Sequence, residues 1–143
     1  MPDRPRYEPL EHTAEAGVVA RGATLAEAFA NAAEGMYALQ LELDRVEERE
    51  QRDVTVEAAD REELLIDWLL ELVYLTETER LVFRRFHVDE LTDTRLHARA
   101  WGEPFDEARH RTQGAAVKAI ARHLLEIAPE EEGGWRVQVL FDI

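Results

Sequence analysis

Cysteine and long apolar runs are both missing from this sequence. Without cysteine the chain forms no disulfide and offers no thiolate to a metal, which suits a reducing cytoplasm. The longest apolar stretch is interrupted by Asp67 and Glu71, and the first residues lead into no run of signal-peptide length. We therefore expect a cytoplasmic protein that neither crosses nor binds a membrane.

Basic residues are also scarce. Lys and Arg number 17 against 31 Asp and Glu, which gives a formal net charge of -14. Such a surface repels a phosphate backbone over most of its area, so direct nucleic-acid binding is disfavoured. The 143 residues are 45% hydrophobic and contain neither a linker nor a repeat, so residues 1–143 are predicted to form a single domain.

Two helices are predicted from capping signals that precede helical periodicity. The segments 24–27 and 60–63 each place Thr or Asp three positions before a glutamate, the pattern of a capping box. Apolar residues then recur every three or four positions, as far as Leu39 in the first helix and Val73 in the second.

Alternation of apolar and polar residues predicts strands in much of the remaining chain. The alternating segments are 17–21, 51–58, 81–91, 95–101, 117–127 and 135–143. A succession of strands beside only two helices favours an antiparallel arrangement. We therefore predict an α+β fold, a single two-layer domain in which both helices pack on one face of a mostly antiparallel sheet.

Polar residues with functional promise stand near both ends of the sequence. Asp142 points away from the apolar face of the last predicted strand and lies beside the terminal carboxylate, so calcium or magnesium could bridge the two groups. A frayed, solvated end is the alternative. His12 and Glu15 precede the first predicted strand, where acid–base or metal chemistry competes with a purely structural hydrogen bond.

Signals for autonomous catalysis are absent from the sequence. The histidines lack zinc spacing, and there is no phosphate-binding glycine loop and no nucleophile elbow. Trp101 and Phe105 flank a predicted turn, where two aromatic rings could anchor a partner or fold back over the sheet edge.

Five segments resemble the archease family, and together they span nearly the whole chain. In order, they are His12-Thr-Ala-Glu-Ala-Gly17, Thr24-Leu-Ala-Glu-Ala-Phe-Ala-Asn-Ala-Ala-Glu-Gly-Met36, Trp101-Gly-Glu-Pro-Phe105, Val117-Lys-Ala-Ile120 and Leu140-Phe-Asp-Ile143. The resemblance implies a protein cofactor rather than an enzyme. Its partner would be the RNA ligase of tRNA splicing, whose guanylylation and turnover it would promote.

The resemblance also implies a divalent-cation site, usually described as a calcium site. Carried onto this sequence, its ligands are Glu15, Asp142 and the backbone carbonyl of Ile143. Archeases normally have Asp at the position of Glu15 and Glu at the position of Ala116, so this chain has one carboxylate fewer. The rival interpretation is a diverged interaction or chaperone-like module that has lost metal binding.

A spatial expectation follows from this assignment. The carboxylates of Glu15 and Asp142 should converge in a negatively charged apex that docks at the ligase active site. A cofactor of this kind needs only to favour the competent state of its partner, so it requires no nucleophile of its own.

Overall fold

Two helices and seven strands make up the computed structural model, which describes residues 4–12, 15–114 and 116–143, with only the backbone described at residues 11, 12 and 15. In chain order the elements are β1 (Tyr7–His12), β2 (Glu15–Gly22), α1 (Leu25–Ala38), a short 3-10 helix (Leu43–Arg45), β3 (Glu50–Glu57), α2 (Arg61–Glu79), β4 (Leu81–Leu91), β5 (Arg95–Pro104), β6 (Ala119–Pro129) and β7 (Trp135–Asp142).

Both helices begin at the predicted capping residues. The Thr24 hydroxyl accepts a hydrogen bond from the Glu27 amide at 3.1 Å, and the Asp60 carboxylate accepts one from the Glu63 amide at 2.9 Å. Each bond satisfies an amide that the first helical turn leaves without a partner. Within the described ranges, neither helix is both long and apolar enough to cross a membrane.

The strands form two antiparallel sheets. The four-stranded sheet has the order β1-β2-β7-β6, and the three-stranded sheet has the order β3-β5-β4. Helix α1 contacts β2 and β7 of the first sheet and β4 of the second. Helix α2 contacts β6 and β3, which are edge strands of the two sheets.

Aromatic residues and buried hydrogen bonds join the two helices to strand β4. The Trp68 indole on α2 donates to the Phe29 carbonyl on α1 at 3.0 Å, and the Tyr37 hydroxyl lies 3.1 Å from the Leu72 carbonyl. Phe83 and Phe86 both contact the Tyr37 ring, although strand alternation alone would place them on opposite faces. A shift in the register of β4 between these two residues brings both inward.

The predicted α+β class and antiparallel pairing are confirmed. The strands divide between two sheets rather than one, because alternation identifies a strand but not its neighbours. Strand β1 was not predicted, since residues 7–12 do not alternate simply, and its last residue, His12, pairs with Glu15 of β2. Strand β5 continues through Pro104, so the predicted loop after Trp101 begins later.

Candidate functional site

Three neighbouring strand ends define the predicted metal position. Ala16 of β2 lies opposite Phe141 of β7, and Ala119 of β6 lies opposite Asp142. Continuing the β2–β7 register by one residue sets the backbone of Glu15 opposite that of Asp142. The β2–β7 pairing ends at Ala16 and Phe141, and Glu15 and Asp142 each adjoin this last pair, although they are far apart in sequence.

The last two residues of the chain, at this edge, are open to solvent. Asp142 is exposed, and Ile143 retains 47% of its accessible surface. The backbone carbonyl of Asp142 accepts a hydrogen bond from the Lys118 amide at 2.8 Å, which ties the segment before β6 to the end of β7. The side chain of Glu15 lies outside the described residues, so the convergence of the two carboxylates stays a prediction.

Close packing holds strands β2 and β7 together next to this edge. A Cβ atom at Gly17 would lie 2.7 Å from Leu140 Cδ2 and 2.8 Å from the Val139 carbonyl oxygen. Leu140 is fully buried. The glycine of the histidine motif thus leaves room for the leucine of the C-terminal motif.

The remaining donors near the predicted metal position are few. Among residues whose side chains are described, no three His, Asp or Glu side chains cluster closely enough to hold a metal. Ala116 is exposed and stands two residues before Lys118, where it contributes no side-chain oxygen. The side chain of His12 lies outside the described residues.

A buried carboxylate stands at the far end of β5. Glu103 is 0% exposed, and its two oxygens accept from the Arg109 guanidinium at 2.7 Å, the Glu47 amide at 2.8 Å and His110 Nε2 at 2.8 Å. We call these four residues the Glu103 cluster. Its bonds join three segments, namely the stretch before β3, the end of β5 and the loop after it.

Electrostatics in this cluster favour an ionised carboxylate. Burial raises the pKa of Glu103, but hydrogen bonds from Arg109, Glu47 and His110 outweigh burial and lower the pKa to about 2. The Asp106 amide donates to His110 Nδ1 at 2.8 Å, so Nδ1 carries no proton. The hydrogen bond between His110 and Glu103 is then donated by Nε2–H to the carboxylate.

The aromatic motif around Glu103 packs against the fold. The guanidinium of Arg85 covers the half-buried Trp101 ring at 3.7 Å, and Phe105 packs beside a small second core that includes Val46. A Cβ atom at Gly102 would lie 1.8 Å from the Val82 carbonyl oxygen, so only glycine fits there. Of the two alternatives for Trp101 and Phe105, the structure favours rings that fold back over the sheet edge rather than rings that stand free to anchor a partner.

Sequence reasoning missed the Glu103 cluster. Strand alternation predicts an outward side chain at Glu103, yet Gly102 and Glu103 are both buried because the loop after β5 folds over the strand end. The only available signal was His110 seven residues later, within a loop. Of the other histidines, His87 and His97 lie 3.4 and 3.9 Å from carboxylate oxygens of Asp89. Within the described part of the chain, these three side chains do not form a group that could hold a metal.

Comparison with known proteins gives a consistent result over nearly the full length. The profile of the Archease protein family (MTH1598/TM1083) matches residues 7–143. The archease of Aeropyrum pernix is 42% identical, covering 93% of this chain and 94% of that protein. The archease of Methanosarcina mazei is 37% identical, with 96% of each chain covered.

Two solved structures share the fold. The solution structure of Methanobacterium thermoautotrophicum protein 1598 has a TM-score of 0.81 at 36% identity, covering 96% of this chain and 99% of that one. A Thermotoga maritima archease, described as a possible chaperone, has a TM-score of 0.59 at 19% identity, covering 95% and 96%. Family profile, relatives and the first of these structures agree, so this chain belongs to the archease family.

Proposed function

We propose that this protein is a non-catalytic cofactor that activates the 3'-phosphate RNA ligase of tRNA splicing by promoting its guanylylation and turnover. Membership of the archease family supports the proposal together with one structural observation. That observation is the pairing of β2 with β7 up to Ala16 and Phe141, the residues next to Glu15 and to the exposed Asp142.

The oxygen donors at this edge suit a hard cation such as calcium. Glu15 and Asp142 would supply carboxylates, and Ile143 would supply a backbone carbonyl. Calcium takes six to eight oxygen ligands, so water or groups of the partner would complete the shell. A bound cation would neutralise part of the local negative charge and could contact oxygens of the partner's nucleotide.

The chain's own role is then to bind and to position. Its antiparallel strands hold the candidate ligands on a rigid support, because Gly17 packs against Leu140 and the Lys118 amide bonds to the Asp142 carbonyl. Binding that favours the guanylylation-competent state of the ligase raises the rate without any nucleophile in this chain.

Guanylylation of the ligase tests the proposal. The purified ligase of the same organism would be incubated with labelled GTP and manganese, with wild-type protein, Asp142→Ala or Glu15→Ala. We expect the wild type to stimulate labelling, and each variant to lose at least about tenfold of that stimulation. Equal stimulation by Asp142→Ala would remove this carboxylate from the mechanism, and no stimulation by the wild type would overturn the function.

A second candidate is an interaction or chaperone-like module that no longer binds metal. Ala116 favours it, because it has no side-chain oxygen at a position where the family resemblance leads us to expect a glutamate. Calcium titration separates the two candidates. Heat of binding together with a raised Tm supports the metal site, whereas no heat and an unchanged Tm support the second candidate.

A further inference from the structure

A groove lies on the outside of helix α2, away from the Glu103 cluster. It has a volume of about 500 Å³, and α2, the end of β3 and Lys118 line it. Because β3 and β6 are edge strands of different sheets, the groove follows the seam that α2 covers between the two sheets. We call it the α2 groove.

Apolar side chains are exposed in the α2 groove. Leu70 and Tyr74 stand one helical turn apart on α2 and retain 36% and 57% of their accessible surface. Val56 and Val73 lie beside them in the lining. A leucine and a tyrosine on one helical ridge beside valines form an anchoring surface for another apolar side chain.

Of the four acidic residues that line the α2 groove, Glu57 alone has a basic partner among the described residues, namely Arg95 at 3.9 Å. In the described part of the chain no basic group lies within ion-pairing distance of Asp67, Glu71 or Glu77, all of which line the groove. By contrast, Glu63 and Glu79 on the same helix form ion pairs with Arg122 and Arg52. Burial and the neighbouring Glu63 raise the pKa of Asp67. A cation bound beside Asp67 would therefore stabilise its ionised form.

The α2 groove also leads to the edge proposed for ligase activation. Lys118 lines the groove, and its backbone amide donates to the Asp142 carbonyl at 2.8 Å. A partner segment lying in the groove would therefore end close to Asp142.

We propose that the α2 groove docks a basic segment of the ligase that places an apolar side chain against Leu70 and Tyr74. The inference rests on the proposed function and adds the surface through which the partner binds. An enzyme that joins RNA ends carries Lys and Arg along its RNA path, so its charge complements four acidic residues against one lysine in the groove lining.

Two variant pairs test the inference in the full-length protein with the purified ligase. Leu70→Ser with Tyr74→Ser removes the apolar anchor, and Glu71→Lys with Glu77→Lys reverses the charge. The matched controls are Leu124→Ser, at an exposed leucine of β6, and Glu131→Lys with Glu132→Lys in the β6–β7 turn. Thermal unfolding verifies that every variant is folded.

Affinity for the ligase, measured by calorimetry at low and high salt, is the readout. We expect the serine pair to raise Kd about 30-fold at both salt concentrations, because apolar contacts are not screened. The lysine pair should raise Kd about tenfold at low salt and much less at high salt. The controls should bind like the wild type.

The outcomes separate this inference from the proposed function. If the wild type stimulates guanylylation while both groove pairs bind the ligase as tightly as the wild type, the groove is not the docking surface and the activation proposal stands. If the controls weaken binding as much as the groove variants, charge or apolar content in general decides affinity, and the inference is wrong. A wild type that neither binds nor stimulates would overturn both.

Discussion

Two carboxylates at strand ends have opposite environments. Glu103, near the end of β5, is fully buried and accepts hydrogen bonds from three groups. Asp142, at the end of β7, is exposed, and its side chain forms no hydrogen bond to another residue in the described part of the chain. A carboxylate whose oxygens are already satisfied stabilises the fold, whereas an open carboxylate remains available to a cation or a partner.

The largest effect should come from removing the satisfied carboxylate. Glu103→Ala leaves the Glu47 amide and the buried His110 Nε2 without their acceptor, and removes the nearest carboxylate from the partly exposed Arg109. We expect the free energy of unfolding to fall by about 3–5 kcal/mol, measured by urea denaturation at pH 7. A loss below about 1 kcal/mol would contradict a structural role for the cluster.

Acid should reduce the stability that Glu103 contributes to the wild-type protein. The pKa of Glu103 is about 2 in the folded protein against an ordinary 4.5, so the unfolded chain binds the proton more readily. The ionised Glu103 therefore contributes its full share of the free energy of unfolding above pH 4.5. This share is lost as the pH falls towards 2, so the free energy of unfolding decreases by up to about 3 kcal/mol. Denaturation at several pH values should show a shallower acid dependence for Glu103→Gln, and identical slopes would refute the assignment.

His110 should matter less than Glu103. His110→Leu removes the acceptor of the Asp106 amide and one of the donors to Glu103, while the Arg109 and Glu47 bonds remain. A loss of about 2 kcal/mol is expected for unsatisfied buried groups. Urea denaturation beside Glu103→Ala and the double variant would also show whether the two effects are coupled, as direct hydrogen bonding requires.

The smallest change in stability should follow removal of the open carboxylate. Asp142→Ala loses no described side-chain bond, so the free energy of unfolding without calcium should change by less than about 0.5 kcal/mol. Saturating calcium should raise the Tm of the wild type and leave that of Asp142→Ala unchanged. A large loss of stability without calcium would erase the contrast with Glu103.

The sequence predicted local structure better than it predicted contacts. Thr24 and Asp60 revealed both helix starts because a capping bond spans only three residues. The division into two sheets and the inward position of Glu103 depend on pairing and loop folding, which alternation does not encode. For the candidate metal site, family resemblance supplied the residues, and the register of β2 and β7 supplied the neighbouring backbones.

The Glu103 cluster gives this cysteine-free chain a reversible cross-link. Glu47 lies 56 residues before Glu103 and His110 lies seven residues after it, and their bonds hold two loops on one strand end, as a disulfide would. Such a link needs no oxidant to form and withstands the reductants of a cell. Strong acid weakens the link by protonating Glu103, whereas a change in redox conditions leaves it intact.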